Sequence, residues 1–370
     1  MINGESLRHW LRLTLIPGIG GHTQRKLLAA FGLPDAVFSV GSTALRAVVG
    51  DKTTALLLET KNDADVAAAL TWAEGDQQHI VTLADPEYPP ALLEIADPPT
   101  LLYVRGKLEL LNQPTIAIVG ARNPTPQGLK NAEAFAAVLA EAGLVVASGL
   151  ALGIDAAAHR GALAAKGKTI AFIGTGIDRI YPARNRDLAH EIGNMGTIVS
   201  EFPLGTPVMA ANFPRRNRLI SGISKGVLVV EAATESGSLI TARLAVEQSR
   251  DVFAIPGSIH SPQSRGCHQL IKQGAKLVDC AQDILDEIAF DGVTATNTDS
   301  LLPDENEESP ASPVEETLLG QMGYEPCCLD ELQIRSGLAT DTLSVILLQL
   351  ELQGRIASLP GNRYQRLSIS

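Results

Sequence analysis

Residues 114–150 read PTIAIVGARNPTPQGLKNAEAFAAVLAEAGLVVASGL. Thr115–Val119 is an uncharged, β-branched run that ends at Gly120-Ala121-Arg122. Leu129–Ala142 then repeats apolar residues at helical spacing, and Leu144–Ala147 begins a second β-branched run. A strand too apolar to alternate, then a helix, then another such strand is the unit of a parallel sheet covered on both faces. The unit recurs downstream. Runs at Thr169–Ile173, Thr197–Ser200, Gly226–Val230, Val252–Ile255 and Lys276–Val278 alternate with helical stretches such as Leu239–Gln248. Together they predict an α/β fold built on a mostly parallel, doubly wound sheet.

Upstream the texture is helical. Leu7, Trp10, Leu11, Leu13 and Leu15 lead into Ile16-Pro17-Gly18-Ile19-Gly20-Gly21, and a second amphipathic run, Gln24 to Phe31, stops at Gly32. This is a helix–hairpin–helix pattern, whose glycines would let turn N–H groups approach a phosphate. An ordinary tight helical hairpin reads equally well, because Arg25 and Lys26 are the only bases close by. Helical segments follow around 43–60 and 63–78. A connection with Pro86, Pro89, Pro90, Pro98 and Pro99 then leads to a short strand, Leu101–Val104. We place a helical domain at 1–85 and the sheet domain at 86–290.

Downstream, residues 291–316 hold eight acids, no base, and Pro303, Pro310 and Pro313. Such a composition buries too little apolar surface to offset ordering, so 291–313 is expected to be a linker. In 314–370, Leu329–Ser336 and Asp341–Gln353 read as helices. Arg355–Leu359 and Arg363–Leu367 read as a hairpin around Pro360-Gly361-Asn362. Helix, turn, helix and wing is the winged-helix order.

Composition bounds the function. The chain has 370 residues, 45% hydrophobic, enough for a sizeable core. Its longest uncharged apolar stretch, Ala142–Ile154, is 13 residues broken by Ser148 and three glycines, short of the about 18 needed to span a membrane. The N-terminus shows no apolar signal core, and four cysteines cannot staple a chain of this length, so a reduced cytoplasm is expected. The net charge of −11 argues against a nucleic-acid partner until it is resolved by segment. Residues 1–113 carry 9 bases and 13 acids, 114–290 carry 17 and 15, and 291–370 carry 4 and 13. The negative charge is concentrated outside the sheet domain.

In such sheets ligands bind beyond the carboxyl ends of the strands. Those ends read Val119-Gly120-Ala121-Arg122, Ser148-Gly149-Leu150 and Gly174-Thr175-Gly176, with Phe213-Pro214-Arg215-Arg216-Asn217-Arg218 and Ser236-Gly237-Ser238-Leu239 opening helices. Small residues admit close backbone approach, helix N-termini offer unpaired N–H groups, and arginines grip phosphate in pairs of bonds. The combination reads as an anion-binding rim. No GxxxxGK[ST] occurs, and no acidic residue stands where a dinucleotide ribose would need one, so no nucleotide cofactor is expected. Reaction chemistry is thin. Asp155 and His159 lie at i, i+4, and read better as an intrahelical ion pair or a core-facing histidine than as an acid–base pair. His260 and His268 flank Cys267 too loosely for zinc. Ser148 and Ser236 have no evident partner base, so neither a catalytic residue nor a metal is expected.

The motifs Val119–Arg122, Ser148–Asp155, Phe213–Ser224, Glu231-Ala232, Ser236–Ala242 and Val252–Gly257 resemble the DNA-processing protein A family, also called Smf. The match runs through nearly all of 101–280, in order and spacing. The resemblance implies a sterile-alpha-motif-like helical domain, an extended Rossmann-like fold and a winged helix. It implies binding of single-stranded DNA, homodimerisation and loading of the recombinase RecA in natural transformation. By motif it carries Arg122, Ser148, Gly149, Arg216, Asn217, Arg218, Gly237 and Ser238 to a phosphate pocket; Arg215 belongs to the same run, and the Phe213 ring can stack on a base. This sequence departs from the family's pattern at Ala121, Leu152 and His268, where Ser, a basic residue and Asn are commoner. The alternative reading is a nucleotide-processing enzyme of phosphoribohydrolase type. Its catalytic loop would fall at Thr234–Leu239, with Glu247 well into the next helix. A further alternative is a purely structural adaptor with a vestigial rim. The winged helix looks poor in phosphate contacts, since Asp341–Gln353 has no Lys or Arg. A protein-contact or autoregulatory role fits it at least as well.

Overall fold

Alternation within each strand decides which layer each side chain joins. The computed structural model describes residues 4–290, 313–324 and 326–367. Strands β1 (Gln78–Thr82), β2 (Leu101–Gly106), β3 (Thr115–Val119), β4 (Val145–Ser148), β5 (Lys168–Phe172), β6 (Thr197–Ser200), β7 (Gly226–Val229), β8 (Asp251–Ala254) and β9 (Lys276–Leu277) form one sheet. Their order is β1-β2-β6-β5-β4-β3-β7-β8-β9. All neighbours from β6 to β9 are parallel; β1 and β2 add an antiparallel edge.

Both faces are covered, as the unbroken apolar runs require. Ala117, Val119, Ala147, Phe172, Val227 and Val229 face one layer, where Leu219, Ile220 and Ile223 of the helix Asn212–Ile223 pack with Ala242 and Ala245 of the helix Gly237–Glu247. Their neighbours Ile116, Ile118, Val146, Leu228 and Phe253 face the other, against the helices Pro126–Glu141 and Ile154–Ala164. Period-two alternation thus survives inside strands that look uniformly apolar.

The chain leaves β3 toward β4, β5 and β6, then crosses back to β7 on the opposite side of β3. The reversal opens a crevice beyond the carboxyl ends of β3 and β7.

The N-terminal helices Gly4–Thr14, Gly21–Phe31, Pro34–Ser39 and Ser42–Glu59 enclose Leu13, Ile16, Ile19, Leu27, Val37, Leu45 and Leu57, while Val66 and Ala69 of the helix Asp63–Ala73 join the cluster of the sheet domain. Trp10 and Leu11 pack the other way, into the cluster holding Tyr103, Ile173 and Ile198 of the sheet domain. The helix expected over 63–78 stops at Ala73, and Gln78–Thr82 is a strand instead. Only Gln78, the last residue of the expected helix, falls in that strand, which pairs in full register with Arg105–Leu101.

At the other end, the helices Leu329–Ser336 and Thr340–Leu352 and the hairpin β11 (Ile356–Leu359)–β12 (Arg363–Arg366) form the expected winged helix. A preceding helix, Pro313–Met322, and the strand β10 (Cys327–Cys328) against β12 complete its separate core. Apart from Pro313, the expected linker 291–313 lies outside the described residues. No helix among the described residues is long and apolar enough to cross a membrane.

Candidate nucleic-acid interface

The crevice at the chain reversal is a cleft of about 660 Å³. From β3 it takes Gly120, Ala121, Arg122 and Asn123; from the loop after β7 it takes Ser236, Gly237 and Ser238. The helix Asn212–Ile223 contributes Phe213, Arg216, Asn217 and Ile220. These four are spaced i, i+3, i+4 and i+7, which is one helical face. The β3 loop is clamped from below. The Glu231 carboxylate accepts from the Thr125 amide at 2.9 Å and its hydroxyl at 2.6 Å, while Ala121 N–H donates to the Glu231 carbonyl at 2.7 Å.

Arg216 is the buried floor of the cleft, 5% exposed. Its Nη1 donates to the Phe172 carbonyl at 3.1 Å, and burial holds its pKa down at about 10, with Asp155 opposing that shift. Its Nε is buried with no hydrogen-bond partner among the described residues. The guanidinium lies against Gly149 so closely that a Cβ there would overlap Nη1. Asp155 accepts from Gly149 N–H at 3.1 Å and Ala151 N–H at 3.4 Å, fixing that loop, and burial raises its pKa. Arg122 is exposed at the rim, its Cζ 5.7 Å from the Phe213 ring centroid. Opposite, Ser236 caps the helix Gly237–Glu247, whose first turn carries no acid. The cleft therefore offers a buried and an exposed guanidinium, a helix N-terminus and an aromatic ring. Against these stand buried Asp155 and exposed Glu235 at the mouth.

Other rim candidates go elsewhere. Ser148 is fully buried, and its hydroxyl donates to the Ile118 carbonyl at 2.6 Å, tying β4 to β3. Arg215 and Arg218 project from the other side of their helix. Arg218 donates to Glu201, with its Nε 3.3 Å from Asp97. Arg215 stands 3.8 Å from Glu201 with its guanidinium over the Phe202 ring. Arg25, near the glycine turn of the N-terminal helices, is likewise held by Asp97 and the Pro98 carbonyl.

His159 is a core histidine. It is fully buried, its Nδ1 is 2.6 Å from Thr169 Oγ1, and burial pushes its pKa down to about 3. Cys267 is buried beneath the Val229 and Val230 carbonyls, with its thiol pushed up to about 12, and His268 contacts the Gly257 carbonyl at 2.9 Å. Glu247 closes the far end of its helix, away from the cleft. Sequence reasoning missed the clamp by Glu231, the role of Asp155 in holding the 149–151 loop, and Asn123, whose carbonyl accepts from Gln263 Nε2 at 3.1 Å. The acid in the first turn of Ile154–Ala164 is a local signal for the second of these; the other two depend on contacts across more than a hundred residues.

Residues 79–289 match the family model for DNA recombination-mediator protein A, and residues 303–362 match that of the DprA winged helix domain. The chain belongs to the DNA recombination-mediator protein A family. Protein Smf of Escherichia coli is 44% identical over 310 residues, covering 82% of this chain and 81% of its own. The DNA processing protein DprA of Streptococcus pneumoniae is 50% identical over 209 residues, or 56% of this chain and 74% of its own. Among solved structures, S. pneumoniae DprA superposes with TM-score 0.69 at 40% identity, covering 78% of this chain and 100% of that one. Helicobacter pylori DNA processing protein A follows with TM-score 0.53 at 33% identity over 58% and 97%, in a structure concerned with its single-stranded DNA binding mode. Membership in the DprA family accords with the extended sheet, the helical N-terminus and the winged helix described above.

Proposed function

We propose that this chain binds single-stranded DNA in the cleft between β3 and β7, as a non-catalytic DNA-binding protein. Phosphates are held by Arg122, Arg216, Asn217 and the helix N-terminus at Gly237 and Ser238, while Phe213 offers its ring to a base. Gly149 and Ser148 shape the floor rather than touch the strand. The observation that carries this is the convergence, at one chain reversal, of two guanidinium groups, a helix N-terminus and an aromatic face. Phosphates carry no base information, so sequence preference is weak. The H. pylori relative, whose structure describes single-stranded DNA binding, supports the choice of ligand. By the same kinship, the chain acts as a homodimer that delivers RecA to incoming strands during DNA uptake in natural transformation. Anisotropy titration of a labelled thymidylate 20-mer tests the site. Arg122→Ala is expected to weaken binding at least about fivefold, the scale of one charge-assisted contact. An unchanged affinity would remove Arg122 from the site.

A further inference from the structure

The loop after β5 carries a ring that the cleft does not account for. Tyr181 is 45% exposed, and its ring centroid lies 6.0 Å from that of Phe213 at 43°. Arg122 and Phe213 line the cleft and Tyr181 does not, so Phe213, with Arg122 Cζ 5.7 Å and the Tyr181 centroid 6.0 Å from its ring centroid, links the cleft to the Tyr181 ring. The loop beneath Tyr181 is held at several points. Thr175 Oγ1 donates to the Arg179 carbonyl at 2.6 Å, and Asn185 Nδ2 donates to the Leu150 and Ala151 carbonyls at 2.8 and 3.1 Å. Asp178 accepts from Gly205 N–H at 2.8 Å. The ring is thus exposed by a fixed backbone.

Its neighbours along the chain are basic. Arg179, Arg184 and Arg186 are exposed and form no ion pair among the described residues, whereas Arg215 and Arg218 are both matched to Glu201. The acids of the same stretch are Asp178, bound to Gly205 N–H, and Asp187 in the first turn of the helix Arg186–Met195. Unpaired cations flanking an exposed aromatic face are what a single strand needs, a base on the ring and phosphates on the guanidinium groups. A protein partner would bury an apolar patch with fewer free charges at its centre.

We propose that Tyr181 is a second base-stacking position. The strand leaves the phosphate cleft over Phe213 and lays its next base on the outer face of Tyr181, with Arg179, Arg184 and Arg186 along its backbone. This rests on the reading of the cleft as a single-strand site, and the two are separable.

The test compares a thymidylate 20-mer with an abasic strand of equal length and charge. Tyr181→Ala is expected to weaken the thymidylate strand about tenfold, within the range for one stacked base, and the abasic strand less than about twofold. Tyr181→Phe retains wild-type affinity for both. Tyr181→Trp, read against Trp10 and Trp72 in the wild-type background, shows emission quenched by the thymidylate strand and unquenched by the abasic one. Equal losses on both strands, or no loss on either together with unquenched emission from Tyr181→Trp, overturn the proposal. The cleft reading fails differently, by Arg122→Ala binding both strands as tightly as the wild type.

Discussion

Gly149 shows how little room a single residue has at this site. A Cβ would overlap both Nη1 and Cζ of Arg216. The buried guanidinium would have to leave its place beneath the cleft. Gly149→Ala is expected to cost about 1–3 kcal/mol of stability, the usual scale for overpacking, and to weaken single-strand binding about tenfold or more as the floor charge is displaced. Thermal melts and anisotropy check the pair. Wild-type affinity at reduced melting temperature would show that Arg216 does not act on the strand. The small residue here is legible in the sequence, but the partner that demands it is not. Gly149 and Arg216 are distant along the chain, and only the docking of the helix Asn212–Ile223 on β5 brings them together.

At the scale of the element, the arginine run 215–218 is split by helical periodicity. Four consecutive polar residues read as one basic patch, but a helix turns about 100° per residue, so they cannot share a face. Phe213, Arg216, Asn217 and Ile220 face the cleft; Arg215 and Arg218 face Glu201 and Asp97. Arg218→Ala would leave Glu201, 5% exposed at its side chain, with Arg215 as its remaining cation at 3.8 Å. The loss is expected to be about 3 kcal/mol, the lower end for a broken buried pair. Its pH dependence follows from burial, which already raises the Glu201 pKa above its ordinary 4.5 and would raise it further in the variant. At pH values below the raised folded-state pKa of wild-type Glu201 the carboxyl is neutral in both folded proteins, so the charge-dependent part of the variant's penalty is absent there and grows as pH rises from that value toward the still higher folded-state pKa of the variant. Chemical denaturation at several pH values measures it; a penalty that does not vary with pH would contradict the role of Glu201. The same periodicity explains what was legible in the strands. Unbroken β-branched runs mark doubly covered strands, whereas the edge strand Gln78–Thr82, buried only at Val81 and Thr82, carries no such mark.

For the whole molecule, charge placement matters more than charge sum. The total of −11 is heaviest in residues 291–370, while the cleft belongs to the sheet domain. The winged helix has its own core, and its bases are largely engaged. Arg355 pairs with Glu316, and Arg366 donates to the Leu319 carbonyl while covering the Tyr324 ring. The helix Thr340–Leu352 instead exposes Val345, Leu348 and Leu352. Deleting residues 291–370 is therefore expected to change single-strand affinity less than about tenfold, by anisotropy; a larger loss would place a main DNA contact in the removed segment. The domain order was legible because each segment differs in composition. The docking of the N-terminal helices was not, since it depends on Trp10, Leu11 and the Arg25–Asp97 contact between distant segments.

In the proposed complex, single-stranded phosphates are held by the cleft face of the helix Asn212–Ile223 and the β3 loop, with Arg215 and Arg218 serving the fold. Salt dependence tests it most directly. Each lost phosphate contact should lower the slope of log K against log salt by about 0.7 on single strands. Arg122→Ala is expected to show that reduction, and folded Arg218→Ala an unchanged slope. A reduced slope for Arg218→Ala with an unchanged slope for Arg122→Ala would contradict it.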